Sequence, residues 1–559
     1  RSEVSIAAGN PNGIVVGWND AQGFCFLFPS IGCDPGDQLG LSGFGFSTNR
    51  GVSFGDGGAP PPLPFDGDLI LTRGDPALAS TRADNGPFYY ANLALSLSQS
   101  TAGIIVHMGQ FDSDGDLSWD PAKTRFLEAG PSDFFDKELI DVQPGRGRTA
   151  YISYTNFTAP NFFGQIELFR TRDQGNNWLG PVVVQPEIST DFFTGTVLQG
   201  SEPAIAEDNK TVYVVFEQGP RFDNNVGFLD YQIQVARSDN RGASFGPSVK
   251  VADINGMFLR AAPVGYNRSN INDFPRIAVV RGGPHRGRVV VVYHSAKDPL
   301  STDTDVFLSY SDDRGETWTQ VTLSDDEGVQ EFWPDLDIGK NGTIAVQYYR
   351  GVPGTTEIFG TPFSTTFVNT FLVVSTDGGY TFGSPIKVSE RTSDWTAAFT
   401  NIVPNFGDYN TVVVSGNQER IFCSWAGDDE IVNIPFFESD FHVPATIFAE
   451  VTGANFYKST QYVIRDLSET TPESYALNQN YPNPFNPETT ITFALPKDNH
   501  VTLKIYDLLG QEVGTLVDEE RPAGNYRIPF KASELPSGTY FYKLVAGDFV
   551  SVKRMTLLR

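Results

Sequence analysis

The sequence predicts an all-β chain assembled mostly from one repeated four-stranded unit, and three observations predict it. Composition is the first: of 559 residues 13% are aromatic, with 55 Gly and 37 Pro against only 3 Met, a balance that favours short strands and turns over long helices. Second, an eight-residue turn recurs at a regular interval. Third, a short apolar and acidic segment recurs in phase with that turn.

The turn reads STNRGVSF at 47–54, TRDQGNNW at 171–178, SDNRGASF at 238–245, SDDRGETW at 311–318 and STDGGYTF at 375–382. A degenerate copy, DSDGDLSW, stands at 112–119. Starts at 47, 112, 171, 238, 311 and 375 lie 65, 59, 67, 73 and 64 residues apart. The residues that give it shape are Ser47, Asn49, Gly51 and Phe54; Thr171, Asp173, Gly175 and Trp178; Ser238, Asn240, Gly242 and Phe245; Ser311, Asp313, Gly315 and Trp318; and Ser375, Asp377, Gly379 and Phe382. An Asp or Asn at the third place accepts backbone N–H bonds across a hairpin, Gly at the fifth tolerates positive φ, and the last aromatic packs inward.

The second landmark runs Pro76 to Ala79, Glu138 to Asp141, Pro203 to Ala206, Pro275 to Ala278 and Pro334 to Asp337, each 33 to 41 residues before the next turn. Between the landmarks comes an alternating strand ending in an aromatic, as in TAYISY 149–154, TVYVVF 211–216, RVVVVY 288–293 and TIAVQY 343–348. Strand, strand, strand, turn, strand, repeated every 60 to 70 residues, is the grammar of a β-propeller blade. The turn resembles the Asp-box, or bacterial neuraminidase repeat, of sialidase-like propellers. That resemblance implies that the turns lie on the outer rim as fold devices and take no part in catalysis.

Residues 4–20 supply the first two strands of the first blade, and 407–429 with 445–451 supply three strands after the last turn. Seven blades fit best, and six is the alternative. The propeller is expected over 1–465 and a linker over 466–476.

From 477 to 559 short alternating strands broken by Pro and Gly predict a small Ig-like β-sandwich. Residues 470–559 hold nine basic and ten acidic side chains, so nearly all of the formal charge of −27 belongs to the propeller. The run Asn480-Tyr-Pro-Asn-Pro-Phe-Asn486, Ile505 to Gly510, Gly538 to Tyr542 and Lys553-Arg-Met resembles the C-terminal sorting domain of proteins exported by type IX secretion. It implies the secretion machinery as a partner and a destination outside the cell or on its outer surface.

Net acidity argues against nucleic acid or an anionic membrane as partner, and no run of 18 apolar residues is present to span a bilayer. A first residue Arg1 in place of Met fits a removed targeting peptide. Cys25 and Cys33 are spaced to close a small disulfide loop, while Cys423 in RIFCSW reads as a buried thiol. Asp112, Asp114 and Asp116 alternate as calcium ligands do, yet they occupy a slot of the repeated turn; calcium is the one cofactor in view and none is required.

Sialidase chemistry, which the resemblance offers, needs an arginine triad, its first member usually in a Phe/Tyr-Arg-Ile-Pro motif of the opening blade, together with a Tyr–Glu pair and an Asp. Tyr526-Arg-Ile-Pro529 lies in the sandwich, and Phe274-Pro-Arg276-Ile277 carries an inserted Pro in a late blade. The channel candidates are Asp75, Glu138, Asp141, Glu202, Arg276, Asp335 and Asp337, with Tyr409 a phenol to test against a packing role. Carboxylates without an arginine triad suit a cation or a hydroxyl-rich ligand. Five histidines show no zinc spacing, and no nucleophile elbow or phosphate loop stands in context.

Aromatic inserts at 23–33, Phe134-Phe135, Phe162-Phe163, Phe192-Phe193, 358–367 and Phe436-Phe437 either fold together or form a protein contact. The expectation is an exported, non-catalytic binding or self-assembling propeller, with glycans or copies of itself as partners. An exo-acting glycosidase of sialidase type is the alternative.

Overall fold

Val289–Ala296 is buried at every position, as a strand sandwiched between two stacked sheets must be, and this explains the near-continuous apolar runs in the repeat. The computed structural model describes residues 2–558 except 10–12, 20–41, 84–85, 113–114, 132, 146, 159–163, 189–195, 224–226, 230, 257–261, 267, 269–270, 299–300, 325, 359–360, 399–405, 416–419, 435–438, 453–462, 467–473, 481–482, 509, 522, 533–534 and 548.

Seven inner strands begin the seven blades: Ser2–Ala8, Asp68–Ser80, Asp133–Val142, Thr196–Ile205, Arg276–Val279, Gln330–Ile338 and Thr411–Ser415. Each packs on the next and Thr411–Ser415 packs on Ser2–Ala8, so the ring closes as a seven-bladed propeller. Within each blade the strands follow in chain order and pair antiparallel, as in blade 1 with Ser2–Ala8, Ile14–Asn19, Ser42–Ser47 and Gly55–Gly58. Blade 7 has four strands where the sequence suggested three: Val463–Asp466 adds the outer one, on the edge of Ser439–Thr452. Among the described residues no strand is exchanged between the first and last blades. The ring closes through side chains, with Thr411 donating to the Val4 carbonyl and Phe54 edge-on to Phe448.

The repeated turns join the third and fourth strands at the face where the inner strands end, here called the lower face. In the turn at 311–318, Ser311 donates to Asp313 Oδ1 at 2.8 Å and accepts from Gly315 N at 2.8 Å. Asp313 accepts from Thr317 N at 2.9 Å and from its hydroxyl at 2.6 Å. The turns at 47, 171, 238 and 375 repeat this pattern. The aromatics at their eighth positions, Phe54, Trp178, Phe245, Trp318 and Phe382, pack against the core clusters. The turns also brace neighbouring blades: Arg170 donates to the Arg241 carbonyl at 2.7 Å and Arg237 to the Arg314 carbonyl at 2.9 Å.

The C-terminal unit is a β-sandwich with its own core, including Ile491, Phe493, Leu503, Ile505, Tyr542, Leu544 and Met555. Its Gly524–Lys531 strand meets the outer strand of blade 7 at one pair, Ile464 and Arg527, and Val52 packs partly against its core. Cys423 is a buried free thiol, its pKa raised by burial. Cys25 and Cys33 lie outside the described residues, as do Phe162-Phe163, Phe192-Phe193 and Phe436-Phe437.

Candidate functional site

The inner strands start at the upper mouth of the channel, and five of them are bulged there, after Ser2, Gly74, Asp136, Gln199 and Phe332. At the bulge the backbone turns left-handed: φ is 50° at Glu3, 52° at Asp75, 52° at Lys137 and 47° at Trp333. Such a backbone costs about 1–3 kcal/mol per non-glycine residue and persists only where surroundings enforce it. Here the bulge re-aims three side chains from blades 1, 2 and 3 toward one point.

Lys137 is that point. Its ammonium lies 2.8 Å from Asp408 Oδ2, 3.1 Å from Asp75 Oδ2 and 3.2 Å from Glu3 Oε1, so one cation of blade 3 ties blades 7, 2 and 1. Asp408 also receives Arg268 Nη1 at 2.8 Å and the Tyr266 hydroxyl at 2.7 Å. Burial would raise the Asp408 pKa, but Lys137 and Arg268 prevail and hold it down at about 2. Two cations face five acids in this cluster, and the excess shows in the others. Burial, reinforced by Asp75, raises Glu3 well above its ordinary value, and burial pushes Asp136 up to about 7. Glu138 is likewise raised by burial and then by Asp75.

Tyr409 is buried against this cluster, its ring under Lys137 and Arg276 at 5.7 and 5.5 Å. Burial, then Glu3 and Asp75, raises its phenol well above 10, and its hydroxyl donates to the Pro76 carbonyl at 3.4 Å. Arg276 pairs with Asp335 at 3.3 Å, deeper in the channel.

The remaining channel carboxylates fasten the ring. Inner strands of adjacent blades are not paired as a sheet, so N–H groups facing the channel need other acceptors. Asp141 accepts Ile205 N at 2.8 Å, Glu202 accepts Ile277 N at 2.7 Å, and Asp335 and Asp337 accept Val412 N and Val414 N, each at 2.7 Å. Each bond crosses from one blade to the next. Burial, opposed by Arg276, raises Glu202 to about 8 and Asp335 to about 7.

The structure thus places Asp75, Glu138 and Tyr409 together at the upper mouth, and Glu202, Arg276 and Asp335 together deeper in. Glu3, Lys137, Asp408, Arg268 and Tyr266 escaped the sequence reading. The repeat held a signal for one of them: Lys137 stands just before the landmark of its blade, as Asp75 does. Asp112 and Asp116 close their hairpin by mutual hydrogen bonds, and Asp114 lies outside the described residues. Among the described residues no three His, Cys, Asp or Glu side chains are grouped to hold a metal ion.

Long hairpins wall one side of the upper mouth. Ile344–Ile358 with Thr361–Ser375 and Arg420–Ile434 with Ser439–Thr452 are strands of 14 or 15 residues, longer than most blade strands. The strand pair Ser393–Asp394 links them, bonding to Phe367 and Val368 on one side and to Asp428 on the other.

No curated protein matches the chain. Among solved structures it is similar to the GH93 α-L-arabinofuranosidase of Fusarium graminearum, at 12% identity and a TM-score of 0.40 over 62% of this chain and 87% of that one. A polysaccharide lyase, Uly1, matches at 10% identity and a TM-score of 0.38 over 82% and 90%, and a protein of unknown function from Dyadobacter fermentans at 12% and 0.35 over 72% and 95%. Residues 479–557 match the model of the secretion system C-terminal sorting domain. The chain therefore carries a type IX sorting domain behind a seven-bladed propeller, and its place is outside the cell or on the cell surface.

Proposed function

We propose that this exported propeller binds a hydroxyl-rich, carbohydrate ligand at its upper mouth and does not cleave it. The observation that carries the reading is the ionic cluster. Among the described residues, Lys137 and Arg268 at this mouth are both committed to buried protein carboxylates, which does not favour a grip on the carboxylate of a sialic acid. What faces solvent is a pinned donor beside an acid: Arg268 is 40% exposed while held on Asp408, and Asp136 is partly exposed in the same cluster. Paired donors and acceptors held by a buried network suit sugar hydroxyls.

One observation favours the glycosidase alternative. Asp136 at about 7 and Asp408 at about 2 have been pushed apart as an acid and a carboxylate would be. A glycan array followed by titration of the best ligand separates the two. Saturable binding that Arg268→Ala abolishes, with no release of reducing sugar, is the expected result. Turnover that disappears in Asp136→Asn would replace binding with hydrolysis.

A further inference from the structure

A cavity of about 250 Å³ opens at the opposite, lower end of the channel, where the inner strands end. Arg82, Arg281 and Lys340 line it, an unusual gathering of cations in a chain whose net charge is −27. Acids line it too, but all four are engaged: Asp141, Glu202, Asp335 and Asp337 each accept a backbone N–H from the next blade. The cations are less occupied. Arg281 uses Nη2 on Asp141 at 3.3 Å and on the Ile205 carbonyl at 2.8 Å. Arg82 uses Nη2 on Asp337 at 2.6 Å and Nη1 on the Ile338 carbonyl at 3.3 Å. Among the described residues Lys340 has no ion pair, and it sits exposed in the turn after Ile338.

We infer that this lower cavity binds a monosaccharide-sized sugar carboxylate, its carboxylate group held by the unused donors of Arg82, Arg281 and Lys340. A planar guanidinium presents paired N–H groups that match a planar carboxylate, so two arginines and an ammonium in one small cavity form a matching set. Ile6, Leu78, Ile140, Ile277, Ile338 and Val413 supply an apolar wall for the carbon skeleton. Ser80 and Thr411 line it as well: Ser80 donates to the Ala8 carbonyl and accepts Arg82 N at 3.3 Å, and Thr411 donates to the Val4 carbonyl. The volume lies just below the usual range for small-molecule pockets, which restricts the ligand to about one sugar ring. Burial, with Arg82 adding repulsion, also holds Arg281 below its ordinary pKa, a strain that a bound anion would relieve.

Isothermal titration of the full chain with glucuronate tests this, with glucose and sodium sulfate as controls. Saturable binding of glucuronate is expected, with sulfate at least about tenfold weaker and glucose not binding once Arg268→Ala has disabled the upper mouth. Lys340→Gln should weaken glucuronate by about tenfold, since one charge-assisted bond is lost from a residue with no part in joining the blades. Arg268→Ala at the upper mouth should leave it unchanged, so this site and the proposed carbohydrate site fail separately. The inference is overturned if glucuronate gives no saturable heat, if sulfate matches it, if glucose matches it in the Arg268→Ala chain, or if Lys340→Gln, folded by circular dichroism, binds it as tightly as the parent.

Discussion

Lys137 shows how much one side chain can be asked to do. Three carboxylates from three other blades converge on it, and its removal would leave them facing one another in a buried site. Breaking such a pair typically costs about 3–5 kcal/mol, so Lys137→Met should lower the urea-unfolding free energy by about that amount. The neighbouring acids add a dependence on pH. Asp136, Glu202 and Asp335 are raised by burial to about 7, 8 and 7. An acid whose folded pKa exceeds its unfolded one stabilises fully below the unfolded value, and that contribution disappears as pH rises through the folded value. Asp408, depressed to about 2, acts in the opposite sense, but its contribution is lost only on acidification below the ordinary carboxylate range. The melting temperature should therefore fall as pH rises from about 5 to 8, and Glu202→Gln should flatten part of that slope. A profile flat across this range would show that these carboxyl groups are ionised at neutral pH.

At the scale of elements, the repeated turn and the bulge differ in how far sequence could reach them. The turn is closed by contacts within four residues, so its Ser, Asp, Gly and aromatic stand in the sequence at fixed places. The bulge is written across blades. Nothing within a few residues of Glu3 announces that φ turns positive there, or that its partner is Lys137, 134 residues away. Asp141 and Asp337 stood out as channel acids, but their use as blade fasteners depends on strands some 64 and 77 residues further on. Packing also separates turns that look alike. Gly315 and Gly51 hold the same place at φ 88° and 78°. A Cβ on Gly315 would lie 3.6 Å from Tyr213, in ordinary contact, whereas one on Gly51 would fall 2.4 Å from the Phe448 ring of the last blade. Gly315→Ala should cost about 1–2 kcal/mol, the backbone penalty alone. Gly51→Ala should add about 1–3 kcal/mol of overpacking at the closure of the ring, a difference that chemical denaturation of the two variants would resolve.

At the scale of the molecule, the aromatic inserts and the sandwich raise separate questions. Phe134 is 52% exposed and Phe363 45% exposed, while Phe135 is buried against Tyr154. Self-association through these rings would make the sedimentation coefficient rise with concentration, and Phe363→Ser should suppress the rise. The sandwich is governed by cooperativity. Its core is closed within residues 477–557, and the described links to the propeller are one bridge at Ile464 and partial packing of Val52. Two units melt as one only when breaking their interface costs a large part of the smaller unit's stability, and one strand pair plus one side chain falls short of that. Calorimetry should thus show two transitions, and deletion of residues 467–559 should remove the smaller one and leave the larger within a few degrees, since about 1 kcal/mol shifts a domain of this size by only about 2–4 °C. A single transition lost on deletion would mean that the sandwich is a working part of the propeller. Such a sorting domain could not be released after export without unfolding what it had delivered.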